Sequence, residues 1–324
     1  MKEYYLGLDI GGTKCAVVLG RYENEKMNIV CRKAIPTEVK KGYNYTIGKL
    51  FSLSNEIMNE NNLDYNKIES VGISCGGPLD SKKGVIMSPP NLSGWDNVPI
   101  VSMCEAEFGL KAYLQNDANA CAVAEWKFGA GVGSENMIFL TFGTGMGAGL
   151  ILNGRLYEGT NGMAGEIGHV RMEKDGPVGY GKAGSFEGYC SGGGIAQYAK
   201  KLTLDAIVNG EIPSYCSSAD EIESVTAKTV AIAADSGDPL ALRIYEICGE
   251  YLGRGLSVLI DVLNPEVIVI GSIYERSGEL LKKTMQKTIE QEALSLSASV
   301  CNIVPAKLGD NIGDYAALAV AFNK

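Results

Sequence analysis

The chain of 324 residues is 46% hydrophobic and 21% charged, which allows two domains of about 150 residues each and argues against disorder. Its formal net charge of -9 comes without a cluster of lysine or arginine, so we expect no nucleic-acid partner. No apolar run approaches the roughly 18 residues that span a bilayer, and the N-terminus lacks the pattern of a signal peptide, so we expect a cytoplasmic protein with no membrane partner.

In the first half of the chain, hydrophobic patterning predicts strands that alternate with helices. Short apolar runs predict the strands, and apolar residues at helical spacing predict the helices. A stretch rich in Pro, Gly, Asn and Ser at 84–99 predicts an ordered loop. The predicted elements are strands at 4–8, 15–20, 27–34, 68–74 and 111–115, and helices at 46–61, 100–108 and 118–128.

The second half repeats this order imperfectly. We interpret the repetition as a duplicated α/β domain with a cleft between the halves. The expected division is 1–117 for the N-terminal domain and 118–313 for the C-terminal domain, with the closing helix at 314–324 packed back on the first. The predicted elements are strands at 137–142, 147–152, 155–157, 267–270 and 300–305, loops over 159–194, and helices at 195–209, 219–233, 239–263, 278–292 and 314–322.

Nine cysteines are scattered along the chain without a C-x-x-C pair. An odd number at irregular spacing predicts neither a disulfide framework nor a zinc knuckle. Most of them have apolar neighbours, so we expect small buried side chains.

Two glycine-rich turns are the most informative motifs. DIGGTK at 9–14 and TFGTGMG at 141–147 each follow an apolar run that predicts a strand. Glycine permits a positive φ and lets a ligand approach the bare backbone, so the N–H groups can point at an anion. Because the protein is acidic, nucleotide phosphates would depend on these N–H groups, a divalent cation and Lys14. The two turns therefore predict a phosphate clamp shared by two domains.

Asp117 is the first candidate for chemistry. It lies where the predicted strand at 111–115 gives way to a helix. Aspartate is a preferred N-cap, so the side chain could simply cap that helix. It could equally serve as a general base at the carboxyl edge of a sheet, where ligands of α/β proteins bind. The sequence leaves both readings open.

The remaining candidates are polar residues in loops. His169, the single histidine, lies in a glycine-rich loop and could be either a hydrogen-bonded structural residue or a ligand contact. The set contains no cation at neutral pH, so it would reject an anionic substrate and could bind many hydroxyl groups. A sugar fits that description. The candidates are Asn91, Asn116, Asp117, Glu166, His169 and Glu187.

Together, DIGGTK, TFGTGMGAG at 141–149, the pair Asn116-Asp117 and the motif EIGH at 166–169 resemble the sugar kinases of the ROK family. The resemblance implies an actin-like ATPase fold of duplicated ribonuclease H-like domains, which close over ATP and a hexose, and it implies a homodimer. It also implies a role for each matching residue. Asp117 would be the catalytic base, Asp9 would hold Mg²⁺ through water, the sugar would contact Asn91, Asn116, Glu166, His169 and Glu187, and the nucleotide would contact Asp9, Gly11, Gly12, Thr13, Lys14, Gly143, Thr144, Gly145 and Gly271.

The chain departs from the family at two places. Val178, Tyr180 and Ser185 stand where the family has three zinc-binding cysteines, and structural zinc needs about four Cys or His ligands. We therefore predict no zinc, which frees His169 for the sugar and leaves the loop to packing and hydrogen bonds. Ser272 follows Gly271 where the family usually has a second glycine on the adenosine side.

Other functions remain open. The ROK family also contains sugar-responsive transcriptional repressors, but only eight residues precede Asp9, too few for a DNA-binding module. A dehydrogenase would need a turn from strand into helix, whereas residues after Gly147 predict a second strand. Glucose is the first candidate substrate, then N-acetylmannosamine or N-acetylglucosamine, then fructose or allose, and polyphosphate could replace ATP as the donor.

Overall fold

The computed structural model describes residues 3–323; residues 1, 2 and 324, which the predicted domain ranges include, lie outside this part. Contacts divide the chain into two compact units. The first holds the described residues up to Ser134, residues 149–164 and the chain from Lys307 onward, and the second holds 135–148 and 165–306. None of the described helices has both the length and the apolar composition of a membrane span.

The first unit contains a five-stranded sheet with the order β3-β2-β1-β4-β7. β1 pairs antiparallel with β2 and parallel with β4, and β4 pairs parallel with β7. The elements up to residue 134 are β1 (Tyr4–Ile10), β2 (Lys14–Glu23), β3 (Lys26–Pro36), α1 (Tyr43–Glu60), β4 (Ile68–Cys75), β5 (Leu79–Asp80), β6 (Val85–Ile86), α2 (Ile100–Phe108), β7 (Ala112–Asn116) and α3 (Asp117–Phe128).

From residue 137 onward the elements repeat the chain order of the first half only imperfectly, beginning again with three strands. β8, β13 and β14 pair in parallel, and β9 pairs antiparallel with β10. The elements are β8 (Met137–Leu140), β9 (Ala148–Leu152), β10 (Arg155–Tyr157), β11 (Val178–Gly179), β12 (Lys182–Ala183), α4 (Phe186–Tyr189), α5 (Gly192–Val208), α6 (Ala227–Asp235), α7 (Pro239–Leu263), β13 (Val267–Ile270), α8 (Ile273–Glu292), α9 (Ser295–Ala298), β14 (Asn302–Pro305) and α10 (Ile312–Phe322).

The two faces of the first sheet are covered differently. On one face, Leu6, Leu8 and Ile10 of β1 join a buried core with residues of α1 and α2. On the other face, α10 approaches so closely that Gly7 and Gly72 lie against its backbone. The first unit extends beyond the predicted boundary at residue 117 because α3 packs against α10.

Two sequence-based predictions of local structure are wrong. The single helix predicted at 219–233 is a 3-10 helix at Ala219–Ser224 followed by α6. The break comes from a capping box, in which Thr226 and Thr229 each accept a hydrogen bond from the backbone N–H of the other at 3.1 and 2.9 Å. The segment 159–194, which was predicted as loops, contains β11, β12, α4 and the first turn of α5. Its glycine-rich sequence still forms short strands and helices.

Gly72→Ala tests the close contact between β4 and α10. A Cβ at Gly72 would lie 2.1 Å from the carbonyl oxygen of Ala317 and 2.4 Å from the amide nitrogen of Ala321. Because both atoms belong to the backbone, strand and helix must move apart, and we expect the free energy of unfolding to fall by about 1–3 kcal/mol in urea titrations.

The matched control is Gly48→Ala on the exposed side of α1, where a Cβ would meet nothing within 4 Å. This change should raise the free energy of unfolding by about 0.5–1 kcal/mol, because alanine favours the helix. Equal unfolding midpoints for the two variants would contradict the packing argument.

Candidate functional site

In the first unit, three parallel strands end at one edge of the sheet. Ile10 of β1 pairs with Cys75 of β4, and Cys75 pairs with Asn116 of β7. Asp9 lies just before this row of paired residues and Asp117 just after it. The structure therefore brings the two predicted carboxylates to the same edge, although 107 residues separate them in the sequence.

Asp9 has an unusual environment for a carboxylate. Desolvation, followed by the nearby charges of Asp314 and Asp117, raises its pKa to about 6 against the opposing effect of Lys14 and Arg32. The guanidinium Nε of Arg32 lies 2.9 Å from a carboxylate oxygen of Asp314. An open cavity of about 450 Å³ is lined by Asp9, Lys14, Arg32 and Asp314. The edge is therefore rich in carboxylates that a cation would stabilise.

The structure shows which residue caps α3. α3 begins at Asp117, and its N-cap is Asn116, whose side chain accepts a hydrogen bond from the N–H of Ala118 at 3.0 Å. Oδ1 of Asp117 accepts a second hydrogen bond from the same N–H at 2.8 Å. Asn116 is thus the N-cap, and Asp117 is the first residue of the helix. The Asp117 side chain touches solvent, yet crowding by protein atoms desolvates it and raises its pKa above the ordinary range.

A polar network behind Asn116 was missed by sequence reasoning. Oε1 of Glu158 accepts hydrogen bonds from the hydroxyl of Ser81 at 2.7 Å and from Nε2 of Gln115 at 3.1 Å. Oε1 of Gln115 in turn accepts from the backbone N–H of Asn116 at 2.8 Å and from Nδ2 of Asn119 at 3.2 Å. The network fixes the end of β7 where Asp117 follows. Its partners lie 43 and 77 residues apart, so no local pattern announces it.

In the first glycine turn, glycine is required for space. Gly11 and Gly12 do not have a positive φ, so the turn does not use the left-handed conformation that glycine permits. Glycine is needed at Gly12 for space, because a Cβ there would lie 2.6 Å from Cβ of Asn91. The turn closes through a bond from the N–H of Gly11 to the carbonyl of Lys14 at 3.1 Å. Thr13 and Lys14 are exposed.

In the second unit, the turn at 141–147 is closed by hydrogen bonds of its own. The N–H of Thr141 donates to the carbonyl of Gly147 at 3.0 Å, and the N–H of Gly147 donates to Oγ1 of Thr141 at 2.9 Å. The N–H of Gly143 donates to the carbonyls of Thr141 and Gly145 at 3.0 and 3.1 Å. Gly143 and Gly145 also lack a positive φ. Gly143 thus uses its N–H within the turn, and Thr144 at its tip is exposed.

The three predicted sugar contacts of the second unit lie on segments that adjoin this turn. Glu166 and His169 bracket a 3-10 helix, and both side chains are exposed. Glu187 of α4 is half-buried, and its Oε2 accepts a hydrogen bond from the N–H of Met146 at 2.9 Å. Gly168 packs against the carbonyl of Met146. The structure therefore joins the predicted sugar and phosphate residues of this unit.

The turn after β13 also meets the glycine turn of the second unit. A Cβ at Gly143 would lie 3.5 Å from Oγ of Ser272, and the N–H of Ile273 donates to the carbonyl of Phe142 at 2.8 Å. Gly271 therefore lies beside the predicted phosphate contacts. Ser272 has φ 58° and ψ -103°, a conformation that favours glycine.

The loop at 170–190 is held by hydrogen bonds and packing, as expected. The amide of Gln197 on α5 accepts from the N–H of Val178 at 2.7 Å and donates to its carbonyl at 3.3 Å. Ser185 is fully buried, and its hydroxyl accepts from the N–H of Gly188 at 3.1 Å. Tyr180 is exposed, with its ring 6.3 Å from that of His169. Within residues 3–323, no group of three His, Cys, Asp or Glu could hold a metal ion, and the absence of zinc stays a prediction.

Ser272→Gly tests the strained turn. A non-glycine residue in a sparsely populated region of φ and ψ costs of order 1–3 kcal/mol, so we expect this substitution to raise the free energy of unfolding by about 1 kcal/mol. The control is Ser52→Gly on the exposed side of α1, which should lower it by about 0.5 kcal/mol. Urea titration measures both, and destabilisation by Ser272→Gly would show that Ser272 is not strained.

Comparison with known proteins identifies relatives along nearly the whole chain. A glucokinase of Halalkalibacterium halodurans is 32% identical over 312 residues, which cover 96% of this chain and 92% of that protein. A xylose repressor of Caldicellulosiruptor bescii is 27% identical over 94% of this chain and 74% of the repressor.

A solved structure and the sequence model of a protein family also match this chain. The crystal structure of a ROK family glucokinase from Streptomyces griseus, in complex with glucose and AMPPNP, superimposes with a TM-score of 0.74 at 27% identity and covers 99% of this chain and all of that one (100%). This match confirms the predicted actin-like ATPase fold. The sequence model of the ROK family matches residues 5–324, and the chain therefore belongs to the ROK family.

Proposed function

We propose that the protein transfers the γ-phosphoryl group of ATP to a hydroxyl group of a hexose, with glucose as the first candidate. Family membership and the glucokinase relatives support this activity. The observation that carries the proposal is the carboxylate of Asp117 at the edge where β1, β4 and β7 end, since ligands of α/β sheets bind at that edge.

The two glycine turns suit the phosphates of ATP. A side chain at Gly12 would collide with Asn91, and one at Gly145 would collide with Glu187. The backbone therefore stays bare, and N–H groups can face phosphate oxygens. The N–H of Gly143 bonds within the turn, so Gly143 would contribute a backbone without a side chain rather than a donor. The proposed nucleotide contacts are Asp9, Gly11, Gly12, Thr13, Lys14, Gly143, Thr144, Gly145 and Gly271.

Asp9 fits a magnesium ion. A carboxylate oxygen is the kind of donor that Mg²⁺ prefers, and one or two carboxylates with water and substrate phosphates usually complete its shell. We propose that Asp9 holds the ion through water. When bound, Mg²⁺ supplies positive charge against the phosphate oxygens.

The proposed reaction asks the protein for positioning and one proton transfer. A carboxylate oxygen of Asp117 accepts the proton of the sugar hydroxyl. At the same time the hydroxyl oxygen attacks the γ-phosphorus, and the bond between this phosphorus and ADP breaks. Because Asn116 caps α3, the carboxylate of Asp117 does not have to serve as the cap itself. The sugar is bound by Asn91, Asn116, Glu166, His169 and Glu187.

An assay of ADP release with a panel of sugars tests the proposal. The panel contains glucose, N-acetylmannosamine, N-acetylglucosamine, fructose and allose, with ATP or polyphosphate as the donor. We expect the fastest turnover with glucose and ATP. If no sugar accelerates ADP release above the rate without sugar, the protein is not a kinase of these sugars, whereas preference for another sugar contradicts only the choice of glucose.

Asp117→Asn and Asp117→Ala test the catalytic base. Loss of a general base typically lowers the rate by about 10²–10⁴, so kcat for glucose phosphorylation should fall by at least 100-fold in both variants. Asp64→Asn, an exposed carboxylate outside the site, is the control and should keep wild-type turnover. Near-normal kcat in a folded Asp117 variant would remove this residue from the role of base.

Glu158 is the proposed positioning residue behind that base. Glu158→Ala leaves Gln115 and Ser81 without their shared acceptor, so we expect kcat to fall by about tenfold while the KM for ATP stays within twofold. Glu158→Gln keeps an acceptor oxygen and should restore most of kcat. A change confined to thermal stability, with wild-type kcat, would show that the network has only a structural role.

The similarity to the xylose repressor supports a second candidate function. A ROK-type regulator would bind a sugar and change its affinity for operator DNA without transferring phosphate. Sugar binding by calorimetry without ADP release, together with a sugar-dependent gel shift, would favour that function over the kinase.

Two further expectations belong to the proposal. We propose that the protein forms a homodimer, which sedimentation analysis tests, and that it works in the cytoplasm, which cell fractionation tests. Both come from the family resemblance and from the sequence.

A further inference from the structure

Glu187 contacts the second glycine turn directly. Its Oε2 accepts a hydrogen bond from the backbone N–H of Met146 at 2.9 Å. A Cβ at Gly145 would lie 2.8 Å from the same oxygen. The carboxylate therefore contacts two successive residues of the turn, Met146 through a hydrogen bond and Gly145 through close packing.

The helix that carries Glu187 is held in place by contacts of the neighbouring residues. The hydroxyl of the fully buried Ser185 caps α4 through the N–H of Gly188 at 3.1 Å. The neighbouring Phe186 is also fully buried, and its ring packs against Gly255 of α7, where a Cβ would lie 2.3 Å from it. The N–H of Phe186 donates to the carbonyl of Val170 at 2.8 Å. Glu187 therefore contacts the turn from a helix whose position is fixed by other residues.

Residues 165–168 contact the turn through their backbone. The N–H of Ala148 donates to the carbonyl of Gly165 at 2.9 Å, and Gly168 lies against the carbonyl of Met146. The glycines at 143, 145 and 147 supply no side chains that could hold the turn. Within the turn, the hydroxyl of Thr141 accepts a hydrogen bond from the N–H of Gly147 at 2.9 Å. From outside the turn, the side chain of Glu187 bonds to its middle, at the N–H of Met146.

We propose that Glu187 is a positioning residue for the phosphate-binding turn, in addition to its role as a sugar contact. The inference rests on the proposed function, because it takes the turn at 141–147 as a nucleotide site. A turn that is already ordered before the nucleotide arrives binds more tightly, since binding no longer has to order it. Glu187 then contributes to ATP affinity even when no sugar is present, which a residue that contacts only sugar does not.

Two conservative variants separate the anchoring bond from the charge. Glu187→Asp keeps the charge but shortens the side chain by one methylene, so it loses the bond to Met146. Glu187→Gln loses the charge but keeps an acceptor oxygen at the same reach. Titration calorimetry with AMPPNP and Mg²⁺, without sugar, should show an AMPPNP Kd about tenfold higher for Glu187→Asp and within twofold of wild type for Glu187→Gln.

His169→Ala is the matched control, because its side chain belongs to the proposed sugar site and its ring lies 6.3 Å from that of Tyr180. It should weaken glucose binding and leave the AMPPNP Kd unchanged. An AMPPNP Kd of Glu187→Asp equal to that of wild type overturns the inference alone, as does equal weakening by Glu187→Gln. Wild-type protein that binds no AMPPNP contradicts the proposed function and the inference with it.

Discussion

The parallel register of β1, β4 and β7 is the constraint on which the candidate site depends. Successive side chains of a strand face opposite sides of the sheet, so a slip of one residue would exchange the two faces. Leu6, Leu8 and Ile10 tie β1 to the buried core, and the close approach of Gly72 to the backbone of α10 leaves β4 little freedom. Packing on both faces thus fixes the edge at which Asp9 and Asp117 meet.

Charge at that edge favours a cation. Asp9 experiences the fields of Asp117 and Asp314, and together with desolvation they raise its pKa to about 6 although Lys14 and Arg32 oppose them. The ion pair of Arg32 with Asp314 already engages part of the local positive charge. Phosphate groups brought to this edge alone would be repelled, whereas phosphates that arrive with a divalent cation would offset the carboxylates. This electrostatic balance agrees with a nucleotide bound as its magnesium complex.

Sequence patterns predicted elements whose signals are local. The helix α7 and the strand β13 have the predicted bounds, because long amphipathic periodicity and a short apolar run between turns are unambiguous. The predicted helix at 219–233 was wrong, since the capping box of Thr226 interrupts an otherwise helical pattern. Motifs located the candidate residues, but not Glu158, nor the fully buried Glu125, whose carboxylate accepts from the N–H groups of Lys307 and Leu308 at 2.9 Å. Such contacts join distant positions, which a single sequence does not relate.

The glycines of the two turns are best explained by space rather than by backbone conformation. In the first unit, Gly12 lies against Asn91, and in the second unit, Gly145 lies against Glu187. Each turn is thus in contact, within its own unit, with a residue proposed to bind sugar. A side chain at either glycine would displace that residue as well as cover the bare backbone. One requirement for close approach thus accounts for Gly12 and Gly145, which do not have a positive φ.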